Sequence, residues 1–490
     1  MSQNVSDLQP KSLWKYFDEI CKVPHPSKKE GKLLDYLKQT VEKLGYKPEQ
    51  DPVGNIVVRK PGSPGHEKAP RVLLQGHVDM VCEKNKGTEH DFDNDPIPAY
   101  VDGEWVKAKG TTLGADNGIG VAAALALLEA KDVVHPPLEL LFTIDEETGL
   151  TGAKGLKPGF LQSETMLNLD SEEDGIVYVG CAGGGDTVGR LKIEWVDAPS
   201  GYETLELNVA GLKGGHSGTD IDKGRGNAIK ILGRVLRRML AIGDVQVVSL
   251  KGGSKRNAIA READALVLAP AADIDKLLPL AAELTSTVRG ELGEVEPSVE
   301  ISLRKAPTAG GKVIARPQIE RVLDAVLALP HGVLRMSSDL AGLVETSTNL
   351  ATLFIEGEEI AIGTSQRSLI GSSKAEATEQ VKAVMRLAGL APAVGEGYPG
   401  WKPNMNSPLL AQFAKAYREL YGEEPQAMAI HAGLECGLIG EVFPKMDMIS
   451  VGPTILDAHS PDERLHIPAT EKFWKVLVKL LAQLAERPAA

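Results

Sequence analysis

Residues 140–155 read LLFTIDEETGLTGAKG, and the change of character between Ile144 and Asp145 decides how the chain is organised. Leu140 to Ile144 close an apolar run, LELLFTI, of the length of a buried strand. Asp145, Glu146 and Glu147 follow at once, and Thr148-Gly149 turns the chain. Three adjacent carboxylates at the mouth of a buried strand repel one another, so something in the fold must offset their charge. The neighbouring segments supply the context. Upstream, RVLLQGHVDMV reads as another buried strand. GIGVAAALALLEA reads as a helix, entered through Asp116 and Asn117, which suit an N-cap. Downstream, TMLNLD is a further strand. Strands that alternate with helices predict an α/β fold with a mostly parallel sheet flanked by helices.

Further out, the helical spacing of Leu13, Tyr16 and Phe17 predicts helix over residues 11–45. Near residue 187 the texture changes. YETLELNVAGLKGGHSG alternates apolar and polar residues, as a strand with one buried face does, and an α+β pattern continues to about residue 395. Past GEGYPGWKPN the first texture returns. The expected organisation is a first domain in two parts, 1–186 and 396–490, interrupted by an α+β domain over 187–395 that is long enough to hold two similar halves.

Composition narrows the function classes. A formal net charge of -13 over 490 residues argues against nucleic acid or an acidic membrane as partner, because phosphate binding needs a basic face. Cys21, Cys82, Cys181 and Cys436 are far apart and form no C-x-x-C pair, which argues against disulfides and thiolate zinc sites. MSQNVSDLQPKSLWKYFDEI lacks the apolar core of a signal peptide, and no stretch reaches ~18 apolar residues, so the expected location is the cytoplasm. No H-E-x-x-H motif occurs. GGHSGTD has Thr219 where a nucleophile elbow needs its last glycine, and APTAGGKV fails as a phosphate loop at Ala306 and Val313.

The chemistry collects at the strand ends. One run ends in His77-Val78-Asp79, the helix entry TTLGADNGIG carries Asp116, LELLFTI runs into Asp145-Glu146-Glu147, TMLNLD ends in Asp170, and SVGPTILDAHSPDE places His459 after a strand. Ligands of doubly wound sheets bind beyond the carboxyl ends of strands. A lone histidine on a strand is usually structural, and DEE alone is usually a solvated turn. The conjunction of two histidines with three carboxylates on one rim is what points to divalent cations such as Zn²⁺, Mn²⁺ or Co²⁺. A pair of ions sharing one carboxylate would explain the crowded charge.

These motifs, GHVDMV, GTTLGADNGIG, DEETGLTGA, NLD, GGHSG and DAHSPDE, together resemble those of the co-catalytic di-zinc metallopeptidases, the family of carboxypeptidase G, aminoacylase and succinyl-diaminopimelate desuccinylase. Within the family, HVDMVCEKN and LGADNGIG are most similar to the aminoacyl-histidine (Xaa-His) dipeptidases. The resemblance covers essentially the whole chain. It implies a zinc-peptidase catalytic domain interrupted by a lid domain, two Zn²⁺ per chain with Co²⁺ or Mn²⁺ able to substitute, and hydrolysis of Xaa-His dipeptides such as β-alanyl-histidine (carnosine). By motif, His77 and Asp170 are implied as ligands of one zinc and Glu147 and His459 of the other, with Asp116 bridging. Glu146 is implied as general base and Asp79 as the support of His77. His216 would stabilise the oxyanion, and Asn257, Arg367 and Gly433 would bind substrate, Arg367 through its free carboxylate. His25, His66, His90, His135, His331, His431 and His466 match no metal motif and read as structural. The resemblance also implies a possible homodimer, since members with short lids dimerise through them. Two rival readings stand beside it: an N-acyl amino acid amidohydrolase on the same metals, and a silent metal-binding scaffold.

Overall fold

The computed structural model describes residues 4–307 and 311–488, which form two compact units. The first comprises Met1–Cys181, Trp401–Ala429 and Leu434–Ala490, and the second Ala182–Gly400 with Ile430–Gly433.

In the first unit the apolar runs form the middle of an eight-stranded sheet. Leu138–Thr143, Val72–His77, Thr165–Asn168 and Asp447–Ser450 lie side by side and parallel. Ile56–Lys60 and Ile176–Cys181 flank them antiparallel, so the sheet is parallel at its centre and mixed overall. Parallel strands buried on both faces need continuous apolar runs, and all three of Val72–His77, Leu138–Thr143 and Thr165–Asn168 are buried along their whole length. The helix Ala115–Glu129 is apolar almost all round and is buried accordingly, against Leu13, Trp14 and Phe17 of the helix Lys11–Cys21.

Two expectations need correction here. The stretch 11–45 is two helices, Lys11–Cys21 and Gly31–Lys43, because Pro24 and Pro26 between them cannot continue a helix. Asp116 and Asn117 do not cap Ala115–Glu129: both have non-helical backbones and neither makes a side-chain cap bond. Asn117 instead donates to the Leu169 carbonyl at 2.6 Å, and Asp116 turns into the site described below.

The second unit is a nine-stranded sheet whose helices Ala228–Ile242, Ala271–Leu292, Arg316–Ala328 and Gly371–Leu387 share one apolar core with it. It contains the same strand–helix–strand–strand–helix–strand pattern twice. One half runs Tyr202–Ala210, Ala228–Ile242, Gln246–Gly252, Ala263–Pro270, Ala271–Leu292, Glu300–Lys305. The other runs Gly183–Lys192, Arg316–Ala328, Val344–Glu356, Glu359–Ser368, Gly371–Leu387, Ala391–Val394. Each half has its fourth strand beside its first, then its third and its second, and the two second strands meet at Gly252 and Leu353. The first half is nested in the second, between that half's first strand and first helix.

Candidate functional site

In the first unit, side chains from the separate strand ends converge on Asp116. His77 Nε2 lies 3.0 Å from Asp116 Oδ1 and 3.3 Å from Asp170 Oδ1. His459 Nε2 lies 3.1 Å from Asp116 Oδ2 and 3.0 Å from Glu147 Oε2. The result is two clusters of one imidazole and two carboxylates, with Asp116 giving one oxygen to each. His77 Nδ1 donates to the Asp79 carbonyl at 3.0 Å, which leaves Nε2 as the ligand atom. Glu147 Oε1 and Asp170 Oδ1 are buried and accept no hydrogen bond from the described residues. A buried carboxylate oxygen without a donor is costly unless a cation faces it. The donor set and the orphaned oxygens therefore fit two divalent ions, of the kind that borderline-hard nitrogen and oxygen ligands hold.

The electrostatics agree. Glu146 belongs to neither cluster, and burial pushes its carboxyl well above the usual range, with the charges of Asp170, Glu147 and Glu435 adding to the effect. Burial raises Asp170 to about 7. Hydrogen bonds to Asp116 and Glu147 raise His459 to about 11, so without a cation the carboxylates draw a proton onto the imidazole instead.

Asp145 is in neither of these two clusters but lies beside Glu30 and Asp79: its carboxylate accepts from the Thr148 and Thr151 hydroxyls and closes the turn. Glu30 accepts from the Asp145 amide at 3.1 Å. Asp79 accepts from the amides of Glu146 at 2.9 Å and Glu147 at 3.3 Å. Asp79 thus grips the acidic turn as well as His77. Burial opposes its ionisation, but the His77 imidazole and these amides outweigh it and hold the carboxyl at about 2.

The motif IHAGLECG places Glu435 near a helix start but gives it no role, and no sequence signal assigns a role to Glu463 or Glu172. Glu463, 3% exposed, accepts from the amides of Leu113 at 2.7 Å, Gly114 at 3.0 Å and Ala115 at 2.7 Å, and so fixes the loop that delivers Asp116. Glu435, fully buried, accepts from Gln75 at 2.5 Å and Thr143 at 2.6 Å, tying together the strands that end at His77 and at the acidic turn. Glu172 lies close enough to Asp116 to be raised to about 8, by burial first and by that charge second. Its place two residues after Asp170 was the only signal available.

The second unit gathers His216, Asn257, Arg367 and Gly433. His216 follows Gly215, whose φ of 140° no side chain tolerates easily, and Gly215–His216 pairs with Ala258–Ile259. The Asn257 carbonyl accepts from the Ser217 amide at 2.8 Å. His216 Nδ1 accepts from the Gly218 and Thr219 amides at 3.3 and 3.2 Å, so the neutral ring carries its proton on Nε2. Burial, and then the Arg367 charge, hold the imidazole neutral by lowering it to about 4. Arg367 is buried, and no described carboxylate pairs with it: it donates to Ser217 Oγ at 3.3 Å and Tyr398 Oη at 2.9 Å, while His216 Nε2–H, itself a donor, only neighbours Nη2 at 3.4 Å. Arg367, Asn257 and Tyr398 line a cavity of about 350 Å³. Asp186, which pairs with Arg256, and Glu396 line the same cavity, but neither pairs with Arg367, whose buried guanidinium is suited to an anionic ligand. His431, read from sequence as structural, is buried here and bonds to Ser347 Oγ at 2.7 Å, on the strand beside Arg367.

Comparison with known proteins gives a consistent result. A sequence profile described as "Peptidase family M20/M25/M40" matches residues 73–486. The chain is 42% identical over 480 residues to the cytosol non-specific dipeptidase of Escherichia coli (strain K12), covering 98% of this chain and 99% of that protein. The crystal structure of aminoacylhistidine dipeptidase from Vibrio alginolyticus matches with a TM-score of 0.88 at 45% identity, over 98% of each chain. Human carnosine dipeptidase 1 shares the fold, with a TM-score of 0.52 at 14% identity over 97% of this chain and 96% of that one. Among the described residues, no helix is long and apolar enough to cross a membrane.

Proposed function

The chain belongs to peptidase family M20/M25/M40 and is a hydrolase of peptide bonds, and from that premise we propose that it is a zinc-dependent dipeptidase that accepts Xaa-His dipeptides, carnosine among them. The observation that carries the reading is the pair of imidazole–carboxylate clusters sharing Asp116. The two dipeptidases that align along nearly the whole chain support the substrate class, and the non-specific one supports breadth beyond histidine.

In this reading His77 and Asp170 hold one ion, Glu147 and His459 the other, and Asp116 both. Zinc is the proposed metal, and Co²⁺ or Mn²⁺ would serve the same ligands. Ions bound there would acidify water and polarise a carbonyl near neutral pH. Glu146 takes a proton from the attacking water and returns it to the leaving amine. Asp79 keeps His77 in its ligating tautomer and holds the turn that carries Glu146. His216, a neutral Nε2–H donor, is assigned to the developing oxyanion. Asn257 and Gly433 are assigned to substrate binding, and Arg367 to the substrate's free carboxylate.

The test is a panel of dipeptides, their C-terminal amides and N-acyl amino acids, assayed with each candidate metal. Dipeptides should be cleaved fastest, with histidine released from β-alanyl-histidine. Faster turnover of N-acyl amino acids would favour the amidohydrolase. Arg367→Ala should impair free-acid dipeptides far more than amides, and equal losses would remove Arg367 from carboxylate recognition. The cytosolic relative supports a cytoplasmic location, and light scattering tests the homodimer that the resemblance implies.

A further inference from the structure

We propose that Tyr398 is the positioning residue that aims Arg367, so that recognition of the substrate's carboxylate depends on a phenol held in a slot made by Gly184 and Gly433. The inference rests on the reading of Arg367 as the carboxylate's partner. It assigns the orientation of that guanidinium to a residue no motif points to.

The hydroxyl of Tyr398 accepts from Arg367 Nη1 at 2.9 Å, the shortest bond the guanidinium makes. The contacts to Ser217 and His216, at 3.3 and 3.4 Å, are looser. A guanidinium is a rigid planar fork, so fixing one nitrogen restricts where the rest of the fork can point. The anchor must itself be fixed, and the backbone does this. The Tyr398 amide donates to the Gly184 carbonyl at 2.9 Å, and the Gly184 amide donates back to Tyr398 at 3.1 Å. Lys374 Nζ donates to the same Tyr398 carbonyl at 2.5 Å.

The ring is held by missing side chains. A Cβ on Gly433 would stand 2.7 Å from Tyr398 Cε2 and 3.0 Å from Cζ, and a Cβ on Gly184 would stand 2.7 Å from Cζ. Real Cβ atoms do not approach so closely, so the ring occupies the space a side chain would take at either position. This gives Gly433 a physical reason to be glycine: it admits the ring. Gly184, Arg367 and Tyr398 line the same cavity, which places the anchored hydroxyl where the carboxylate is read.

The experiment compares Tyr398→Phe, Gly433→Ala and Arg367→Ala with the wild type on a free-acid dipeptide and its C-terminal amide, with melting temperatures as folding controls. A parallel series measures inhibition constants of a free amino acid and its amide. Tyr398→Phe keeps the ring and removes only the hydroxyl. It should raise KM for the acid roughly tenfold, the loss of one charge-assisted hydrogen bond, with kcat within about twofold and the amide little changed. Gly433→Ala, which displaces the ring, should show the same selectivity for the acid. If Arg367→Ala discriminates acid from amide while Tyr398→Phe does not, the positioning role is overturned and the reading of Arg367 stands. If Arg367→Ala weakens both substrates alike, the underlying reading falls and this inference falls with it. Equal losses on both substrates in Tyr398→Phe, accompanied by a lowered kcat, would mark the tyrosine as merely structural.

Discussion

His216 shows how a single residue's chemistry follows from its backbone. Two amides occupy Nδ1, so the proton sits on Nε2, and burial beside Arg367 keeps the ring from taking a second one. An N–H donor of this kind suits the proposed role at a developing oxyanion. His216→Ala should therefore keep its metal and lower kcat by roughly 10²-fold or more. A raised KM with unchanged kcat would remove His216 from the chemical step. At this scale the sequence was most legible where a side chain is itself the chemistry: His77, Asp116, Glu147, Asp170 and His459 could be read from the strand ends, and the structure brings them together. Of the residues that act on other residues, Asp79 is legible beside His77, whereas Glu463 and Tyr398 are not. Glu463 closes the DAHSPDE motif that carries His459, but the amides it grips lie about 350 positions away, so the motif does not reveal its task. Tyr398 is defined by Gly184 and Gly433, neither of which is its neighbour in sequence.

Among the elements, the loop before Ala115–Glu129 carries the most consequence, because it delivers the carboxylate that both clusters share. The amides of Leu113, Gly114 and Ala115 all donate to the buried Glu463. Glu463→Ala would leave those donors without an acceptor in a site that water does not easily fill. We expect a loss of roughly 2–4 kcal/mol in stability. Metal affinity should weaken about 10–100-fold, as when other supports of ligands are removed. Denaturant unfolding and metal titration of the variant check the two effects, and unaltered metal affinity would show that Asp116 is placed by other means. Elements were legible where one signal dominated, as in the apolar strands and the helix Ala115–Glu129. Periodicity alone missed the break at Pro24 and Pro26 and merged two helices. The repeat in the second unit was hidden for a different reason: nesting one half inside the other separates Gly183–Lys192 from the rest of its half, so no fixed period survives in the sequence.

Over the whole molecule, charge and metal set the conditions of stability. His331 and His431 titrate far below their ordinary value, at about 4 and about 3, because burial opposes the charge and Lys230 and Arg367 repel it. Both are neutral in the fold, whereas the unfolded chain protonates them near 6.5. Their neutral forms cost the fold nothing above pH 6.5. As pH falls from 6.5 towards 4, the unfolded state gains protons that the folded state refuses, at up to about 1.4 kcal/mol per pH unit for each group. His331→Gln should flatten the acid side of the stability curve relative to wild type, and an unchanged slope would mean the group titrates normally in the fold. Bound ions should act in the opposite direction, raising the melting temperature as their concentration rises, because they bind only the folded clusters. Glu146 and Glu147 test the shared site at Asp116 side by side. Metal content per chain, measured with turnover on purified Glu146→Gln and Glu147→Ala, separates a base from a ligand. Glu146→Gln should retain two ions while turnover falls roughly 10²–10⁴-fold, and Glu147→Ala should fall towards one ion and lose activity for that reason. Loss of an ion from Glu146→Gln with both kept by Glu147→Ala would reverse the two roles, and full metal and activity in both variants would contradict the site itself.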